Sequence, residues 1–342
     1  MEKLDVVSMT YGELEALMAE WSEKPYRAKQ LYQWLHKKHI RDFAEITTFS
    51  KALRDKCMQN LAINSLIIKK KLVSAHDDTV KYLYGLTDAN YIETVLMRHR
   101  HGNSLCISTQ VGCRMGCAFC ASAQGGLVRN LTAGEMLGQV YESARDSELK
   151  ISSVVLMGIG EPLDNFGNVT RFLEMLSHPE GQNLSLRHVS LSTCGLADQI
   201  KKLGELRLGL TLSVSLHAVT DDERTALMPV NRKWQIAQLV AACRGYYEST
   251  GRRISFEYAL IENQNDSAAH AEKLAALLRG FPCHVNLIPI NPVHGLPYKK
   301  SAMPGVQRFL QTLERRGIAA TVRRELGAGI NAASGQLRAI NN

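Results

Sequence analysis

Residues 105–120, Leu-Cys-Ile-Ser-Thr-Gln-Val-Gly-Cys-Arg-Met-Gly-Cys-Ala-Phe-Cys, decide how the rest of the chain is read. A strand-like apolar run, Leu105 to Val111, delivers three thiols in close succession: Cys113, Cys117 and Cys120. In a small secreted domain such a cluster suggests disulfides; in a chain of 342 residues it points to metal or redox chemistry. The Cys-x3-Cys-x2-Cys spacing supplies three ligands. Structural zinc takes four nitrogen or sulfur ligands, and a cubane iron–sulfur cluster usually takes four cysteines. Three thiolates on a cluster leave one iron open, which suits delivery of an electron to a bound cofactor. Zinc completed by a fourth ligand such as Cys106 is the alternative at this level.

Downstream of the cysteines the pattern alternates. Strand-like runs fall at 105–109, 152–157, 188–193, 210–216, 254–261, 284–290 and 319–323, with helical periodicity between them. One such helix opens at Thr132-x-x-Glu135, a capping box. Repeated βα units predict an α/β fold with a partial (β/α)6 barrel, its functional residues at the C-terminal strand ends. Upstream, residues 66–98 change to a period of two, with runs at Leu66–Val73, Thr79–Leu86 and Tyr91–Met97. They predict a connector of short antiparallel strands. Residues 1–65 read as a small helical module. Thr10-x-x-Glu13 caps a helix with Leu14 and Leu17 inward, a second runs from about Arg27 to Lys38, and Ser50 caps a third with Leu53 and Met58 inward. The expected organisation is therefore 1–65, 66–98, a core over 99–325 and a C-terminal segment over 326–342.

The composition is that of an ordinary globular protein, 45% hydrophobic and 22% charged. No stretch approaches the ~18 uninterrupted apolar residues of a membrane span, and Glu2, Lys3 and Asp5 replace the apolar region of a secretory signal. The expectation is a cytoplasmic protein with no membrane partner, working as a monomer. Cys57, Cys243 and Cys283 sit in apolar contexts and read as core residues. The net charge of +8 favours a polyanionic partner. Basic clusters at Lys69–Lys71, at 98–101 and at Arg323-Arg324 make nucleic acid a fair expectation, although each alone reads as a solvated face.

The cysteine spacing resembles the radical S-adenosylmethionine (SAM) superfamily. There the amino-acid end of SAM chelates the open iron, and one-electron cleavage yields methionine and a 5′-deoxyadenosyl radical. Met157-Gly-Ile-Gly-Glu-Pro162 is similar to the superfamily's glycine-rich strand end. Further motifs narrow the likeness to the RlmN and Cfr group of RNA adenosine C2/C8 methyltransferases, over nearly the whole length. They are Thr109-Gln-Val-Gly112, Gly125-Gly-Leu-Val-Arg-Asn-Leu131, Ser190-Leu-Ser-Thr193, Ser213-Val-Ser-Leu-His217, Leu227-Met-Pro-Val-Asn231, Asn286-Leu-Ile-Pro-Ile-Asn-Pro292 and Thr321-Val-Arg-Arg324. Tyr26-Arg-Ala-Lys-Gln30 is similar to part of the family's accessory domain. Of the two branches the chain looks more like RlmN, the C2 enzyme.

The resemblance implies a 4Fe–4S cluster on Cys113, Cys117 and Cys120, and SAM contacts from Gly160, Glu161, Ser192, Ser215, Leu216, His217 and Asn291. It implies an RNA substrate, 23S rRNA and also tRNA, and an external one-electron reductant such as flavodoxin or ferredoxin. It makes Glu93 a proton acceptor and Cys106 a resolving cysteine; from the residues alone, Glu93 is a half-buried strand carboxylate paired with a nearby base. In the family a C-terminal cysteine takes a methyl from one SAM, the radical from a second SAM abstracts hydrogen from that S-methyl group, and the methylene radical adds to the adenine. The resolving cysteine then forms the disulfide that releases the product. Here the acceptor position, in Ala332-Ala-Ser-Gly-Gln-Leu337, is Ser334, and Gly329 stands where the family usually carries an acidic residue. A thiol with pKa ~8.5 gives usable thiolate at neutral pH; a serine hydroxyl does not without a dedicated base. Three readings stay open: a methyltransferase stalled at Ser334, a paralogue with a different radical reaction, and a non-catalytic RNA-binding relic.

Overall fold

The computed structural model describes residues 3–291, 295–323, 327 and 330. The N-terminal part comprises β1 (Leu4–Asp5), α1 (Tyr11–Glu20), α2 (Tyr26–His36), α3 (Lys51–Asn60) and β2 (Leu61–Ala62). Thr10 and Glu13 make the reciprocal capping box of α1, and the Ser50 hydroxyl accepts the Leu53 N–H at the start of α3. Parallel pairing of β1 with β2 closes the segment. Met58, expected to face inward, is exposed, and Cys57 is buried in its place. Cys57 lies one helical turn from the buried Leu53, whereas a step of five residues swings off that face.

The segment does not keep a core to itself. Leu14, Leu31 and Cys57 belong to the same continuous apolar cluster as Met136 and Leu137 and the strands beneath them. The seam is polar as well as apolar: the Gly134 N–H donates to Ser8 Oγ (2.9 Å), and His36 Nδ1 lies 2.7 Å from the Tyr141 hydroxyl. Arg41 pairs with Glu142 across the same seam.

A ten-stranded sheet carries the rest. Its first strands, β3 (Ile67–Val73), β4 (Val80–Gly85), β5 (Tyr91–His99) and β6 (Gly102–Cys106), form an antiparallel meander. The connector strands are thus continuous with the main sheet. A short hairpin, β7 (Gln110–Gly112) with β8 (Leu127–Asn130), stands apart, and α4 (Ala133–Ser147) follows it. From β6 onward the sheet is parallel: β9 (Ile151–Leu156), α5 (Phe166–Ser177), β10 (Val189–Thr193), α6 (Ala197–Glu205), β11 (Thr211–Ser215), α7 (Asp221–Leu227), α8 (Ile236–Thr250), β12 (Ile254–Leu260), α9 (Ala268–Leu277), β13 (Cys283–Pro289), α10 (Met303–Arg315) and β14 (Ala320–Val322). Sheet order follows the sequence from β3 through to β14, omitting only the hairpin. This is an open, partial (β/α)6 barrel.

The run 105–111 is not one strand. Strand β6 ends at Cys106. Ile107 still bonds the end of β9, its N–H donating to the Val155 carbonyl (3.0 Å) and its carbonyl accepting the Gly158 N–H (3.0 Å). At Ser108 the Gln139 side chain from α4 takes over as partner, accepting the Ser108 N–H (2.8 Å) and donating to the Ser108 carbonyl (2.9 Å). Residues 108–110 therefore leave the regular ladder and lead into the cysteine loop.

The two faces of the parallel sheet differ. Register places Leu191 beside Leu212, and Val214, Phe256 and Val285 in one row; these are buried. The alternate rows are polar: Ser192, Ser213, Ser255 and His284, then Ser215, Glu257, Asn286 and Thr321. A parallel sheet covered on both sides is normally apolar on both, so the polar rows mark the face that meets ligand and water. The sheet also curls. The Gly327 N–H, beyond β14, donates to Asp77 Oδ2 (2.6 Å) in the β3–β4 turn. Among the described residues no helix is long and apolar enough to cross a membrane.

Candidate active site

The cysteine loop is fastened at both ends and in the middle. Cys113 N–H donates to the Gly126 carbonyl (2.8 Å), Ala118 N–H to the Leu227 carbonyl at the end of α7 (2.9 Å), and Cys120 N–H to the Cys117 carbonyl (3.1 Å). Gly116 turns the chain between the first two cysteines with φ +68°, a left-handed conformation that side chains disfavour. All three thiols are unpaired. Burial pushes the Cys113 thiol up to about 12 and raises Cys117, and the three sulfurs act on one another electrostatically. Among the described residues no group of three His, Cys, Asp or Glu converges on a position for a single metal ion. The buried hydroxyls of Thr109 and Ser122, on the same segment, have no hydrogen-bond partner. This donor set fits a 4Fe–4S cluster.

Beside the loop lies the glycine-rich end of β9. A Cβ on Gly160 would come within 2.6 Å of Gln110 Cβ, and one on Gly158 within 2.6 Å of the Ile107 carbonyl oxygen. Gly160 also has φ +109°. Here the glycines let the strand end pack against the backbone that leads into the cysteines. Glu161 is 3% exposed, and its carboxylate accepts the N–H groups of Leu163 (3.0 Å) and Cys194 (2.7 Å). Burial raises its pKa above the ordinary carboxylate value, with these hydrogen bonds opposing. The side chain is thus committed to the end of β10, and the Glu161 main chain is engaged as well, its N–H donating to Gln110 Oε1 (2.8 Å) and its carbonyl accepting the Asp164 N–H (3.1 Å).

Ser192 and Ser215 lie half-buried on the polar face of β10 and β11. Leu216 is fully buried beneath them. His217, just beyond, takes a left-handed φ of +57°. It is held there by the Ala259 N–H, which donates to His217 Nδ1 (2.9 Å), and by Asn265, which donates to the His217 carbonyl (2.8 Å). An acceptor at Nδ1 fixes the neutral tautomer with the proton on Nε2. Burial, with Arg224 nearby, lowers the imidazole pKa to about 3. The ring packs edge-on against Phe119 of the cysteine loop, centroids 5.1 Å apart. Asn291 is exposed beyond β13. Ser334 lies outside the described residues.

Glu93 and Cys106 lie on β5 and β6, the strands that lead into the cysteine loop. Register puts Val95 opposite both Lys81 and Cys106, and Glu93 shares their face. Glu93 is 2% exposed and paired with Lys81, Nζ to Oε2 2.9 Å. The expected basic neighbour is present and is Lys81, but the carboxylate is fully buried rather than half-buried, because β5 lies inside the ten-stranded sheet between β4 and β6.

Two further residues organise the site without having been legible in sequence. Arg224 of α7 is fully buried and donates to the carbonyls of Cys194 (2.6 Å), Ser215 (3.1 Å) and Leu216 (3.2 Å) and to Asn231 Oδ1 (3.0 Å). It ties two strand ends together. Asn265 locks His217. The available signal was a lone arginine amid the acidic first turn of α7, upstream of Leu227–Asn231. A groove of about 690 Å³ lined by Thr10, Arg171, Glu174 and Leu208 lies away from these residues, along α5 and the turn after α6.

Comparison with known proteins covers nearly the whole chain. Residues 4–63 match the family described as ribosomal RNA large subunit methyltransferase N-terminal domain, and residues 107–275 match the radical SAM superfamily. A probable dual-specificity RNA methyltransferase RlmN of Lachnoclostridium phytofermentans is 48% identical, covering 98% of this chain and 95% of the relative. One of the same description from Alkaliphilus oremlandii is 49% identical, covering 99% and 98%. A crystal structure of a radical SAM methyltransferase from Sphaerobacter thermophilus superposes with a TM-score of 0.93 at 41% identity, covering 97% of this chain and 98% of that one.

Proposed function

The chain belongs to the RlmN family of radical SAM methyltransferases, and from that premise we propose that its reaction is methylation of adenosine C2 in 23S rRNA and in tRNA, with Ser334 standing at the methyl-accepting position. The observation that supports this reading is the grouping of three elements along one sheet: the cysteine loop that follows β6, the polar strand ends of β10 and β11, and the Glu93–Cys106 pair of strand residues on β5 and β6.

Cys113, Cys117 and Cys120 would hold the 4Fe–4S cluster, and SAM would be met by Gly160, Glu161, Ser192, Ser215, Leu216, His217 and Asn291. When bound, the two supply one-electron chemistry and a methyl group, with electrons from an external donor such as flavodoxin or ferredoxin. The protein's own part is positional and electrostatic. Arg224 and Glu161 fix the ends of β10 and β11. His217 presents a neutral Nε2–H donor. Phe119 closes the space between the loop and His217. Glu93 receives the proton that leaves the adenine carbon, and Cys106 provides the thiol that frees the product. Adenine C2 is not nucleophilic, so the methyl group must reach it on a carrier atom; a hydroxyl at 334 makes a poor carrier beside a thiol.

The test is an anaerobic reaction with 23S rRNA, following methylated nucleoside by mass spectrometry. The chain carrying Ser334 is expected to give no 2-methyladenosine, and Ser334→Cys to give it. Product from the unaltered chain would overturn the reading of Ser334; none from a cluster-loaded Ser334→Cys protein would overturn the assigned reaction. RNA affinity should also decline steeply with added salt, since phosphate contacts release counterions.

A further inference from the structure

Lys81 is 0% exposed, on the central stretch of β4, with its Nζ 2.9 Å from Glu93. Burying such a pair gains little stability. Desolvating both ions costs several kcal/mol each, and an apolar pair of similar size is often at least as stable. The neighbours on this face, Leu83 and Val95, are apolar, so the sheet itself has no need of the charges. The opposite face of β4 is occupied differently: Tyr82 bonds Asp146, and Tyr84 bonds Ser143, both on α4. Lys81 thus points away from the helices, on the face shared with Cys106.

Cys106 lies in the same cross-strand row as Lys81 and Val95, and the row continues through Val155 and Ser190 to Thr211. The charged groups facing the thiol come from three elements: Lys81 of β4, Glu93 of β5, and Arg323 after β14; the Met157 N–H also donates to it. Burial pushes the thiol up to about 11, with Arg323, the Met157 N–H and Lys81 acting against that rise and Glu93 adding to it. Lys81 in turn feels Glu93 and Cys106 as its two acidic neighbours, after a larger opposing effect of burial.

We propose that Lys81 is a positioning residue of the reaction, a single buried ammonium shared between Glu93 and Cys106, so that protonation of the carboxylate favours ionisation of the thiol. The proposal rests on the reading of Glu93 as proton acceptor and Cys106 as resolving thiol. While Glu93 is anionic, its charge opposes that of Lys81 at Cys106. Once Glu93 has taken a proton, the ammonium keeps Cys106 as its acidic neighbour. The thiol is therefore activated after the base has taken up its proton, which is the order that product release requires.

The experiment is the pH dependence of Cys106 alkylation by iodoacetamide, measured by peptide mass spectrometry on the full-length, anaerobically purified and cluster-loaded chain, with buried Cys243 as internal control. Lys81→Met should slow Cys106 alkylation at mildly alkaline pH by about tenfold, the equivalent of about one pH unit. Glu93→Gln should act oppositely and speed it several-fold, and Lys81→Arg should stay within about threefold of the parent. Opposite responses of the two neutralising variants are not produced by a merely structural role. Unchanged or parallel responses overturn the proposal. If Lys81→Met does not fold, the Glu93→Gln result alone decides: acceleration supports the shared cation, and its absence refutes it. The underlying reading is tested separately in the Ser334→Cys background. Methylation undiminished by Glu93→Gln removes Glu93 as proton acceptor and leaves the alkylation result standing.

Discussion

Arg224 shows how much one side chain can carry at this site. Its guanidinium is fully buried, and its described hydrogen-bond partners are carbonyl oxygens and an amide rather than a carboxylate. Lysine cannot reproduce that fork. Arg224→Lys should therefore leave buried carbonyls of Cys194, Ser215 and Leu216 without donors and lower stability by about 3 kcal/mol or more. Urea denaturation checks this, and a loss below ~1 kcal/mol would mean the strand ends do not depend on the guanidinium. Gly160→Ala is a sharper steric case: the new methyl meets Gln110 at 2.6 Å and the backbone already stands at φ +109°. The expected result is a loss of about 2 kcal/mol together with weaker SAM retention in equilibrium dialysis. Arg224 was not legible in sequence, because nothing local says that a helix arginine will turn inward to strand ends. Gly160 was, because two glycines flanking one residue at a strand end signal a close approach of another backbone.

At the scale of elements, the seam between α2 and α4 carries a pH dependence. His36 is fully buried against Tyr141, and burial lowers its pKa to about 3 from the ordinary 6.5. The unfolded chain takes up a proton as pH falls below 6.5, while the native imidazole stays neutral until about 3. Stability is therefore complete above that window and declines on acidification through it, by about 2 kcal/mol for this residue between neutrality and pH ~5. A His36→Gln protein should show a visibly shallower decline of melting temperature with acidification. An identical decline would place the sensitivity elsewhere, His217 being the other histidine lowered to about 3. Helix caps and strand periodicity were legible because they are set within a few residues. Less legible was the end of β6. The ladder there is completed by a side chain, Gln139, from a helix that starts more than twenty-five residues later, and no periodicity signals such a substitution.

Across the whole molecule, the N-terminal helices and the barrel act as one packed body. Eleven consecutive residues of α4, Ala133 to Ser143, are buried, and part of that cover comes from Val6 and Val7 in the turn after β1, from α1 and from α2. A chain beginning at residue 63 would expose this apolar surface, so it is expected to aggregate rather than yield a folded core. A soluble monomeric truncation with the parent circular dichroism spectrum would show the two parts to be independent. The basic clusters divide at this scale too. Lys69, Lys70 and Lys71 lie on β3, the open edge of the ten-stranded sheet, and Lys71 pairs with Asp146. Charge at such an edge guards against strand addition, whatever else it contacts.

What the sequence determined by itself is whatever depends on short separations along the chain. The three closely spaced cysteines, the glycines beside them, the helix caps and the βα alternation are of this kind. The tertiary structure decided which charges and hydrogen-bonding groups meet. Lys81 reaches Glu93 and Cys106 only through the register of three strands, Arg323 comes to bear on Cys106 only because the sheet curls, and Arg224 finds its carbonyls only when two strand ends lie side by side. Spacing along a backbone fixes ligands that are neighbours in sequence; electrostatic coupling falls with distance through space, and that distance exists only in the folded sheet.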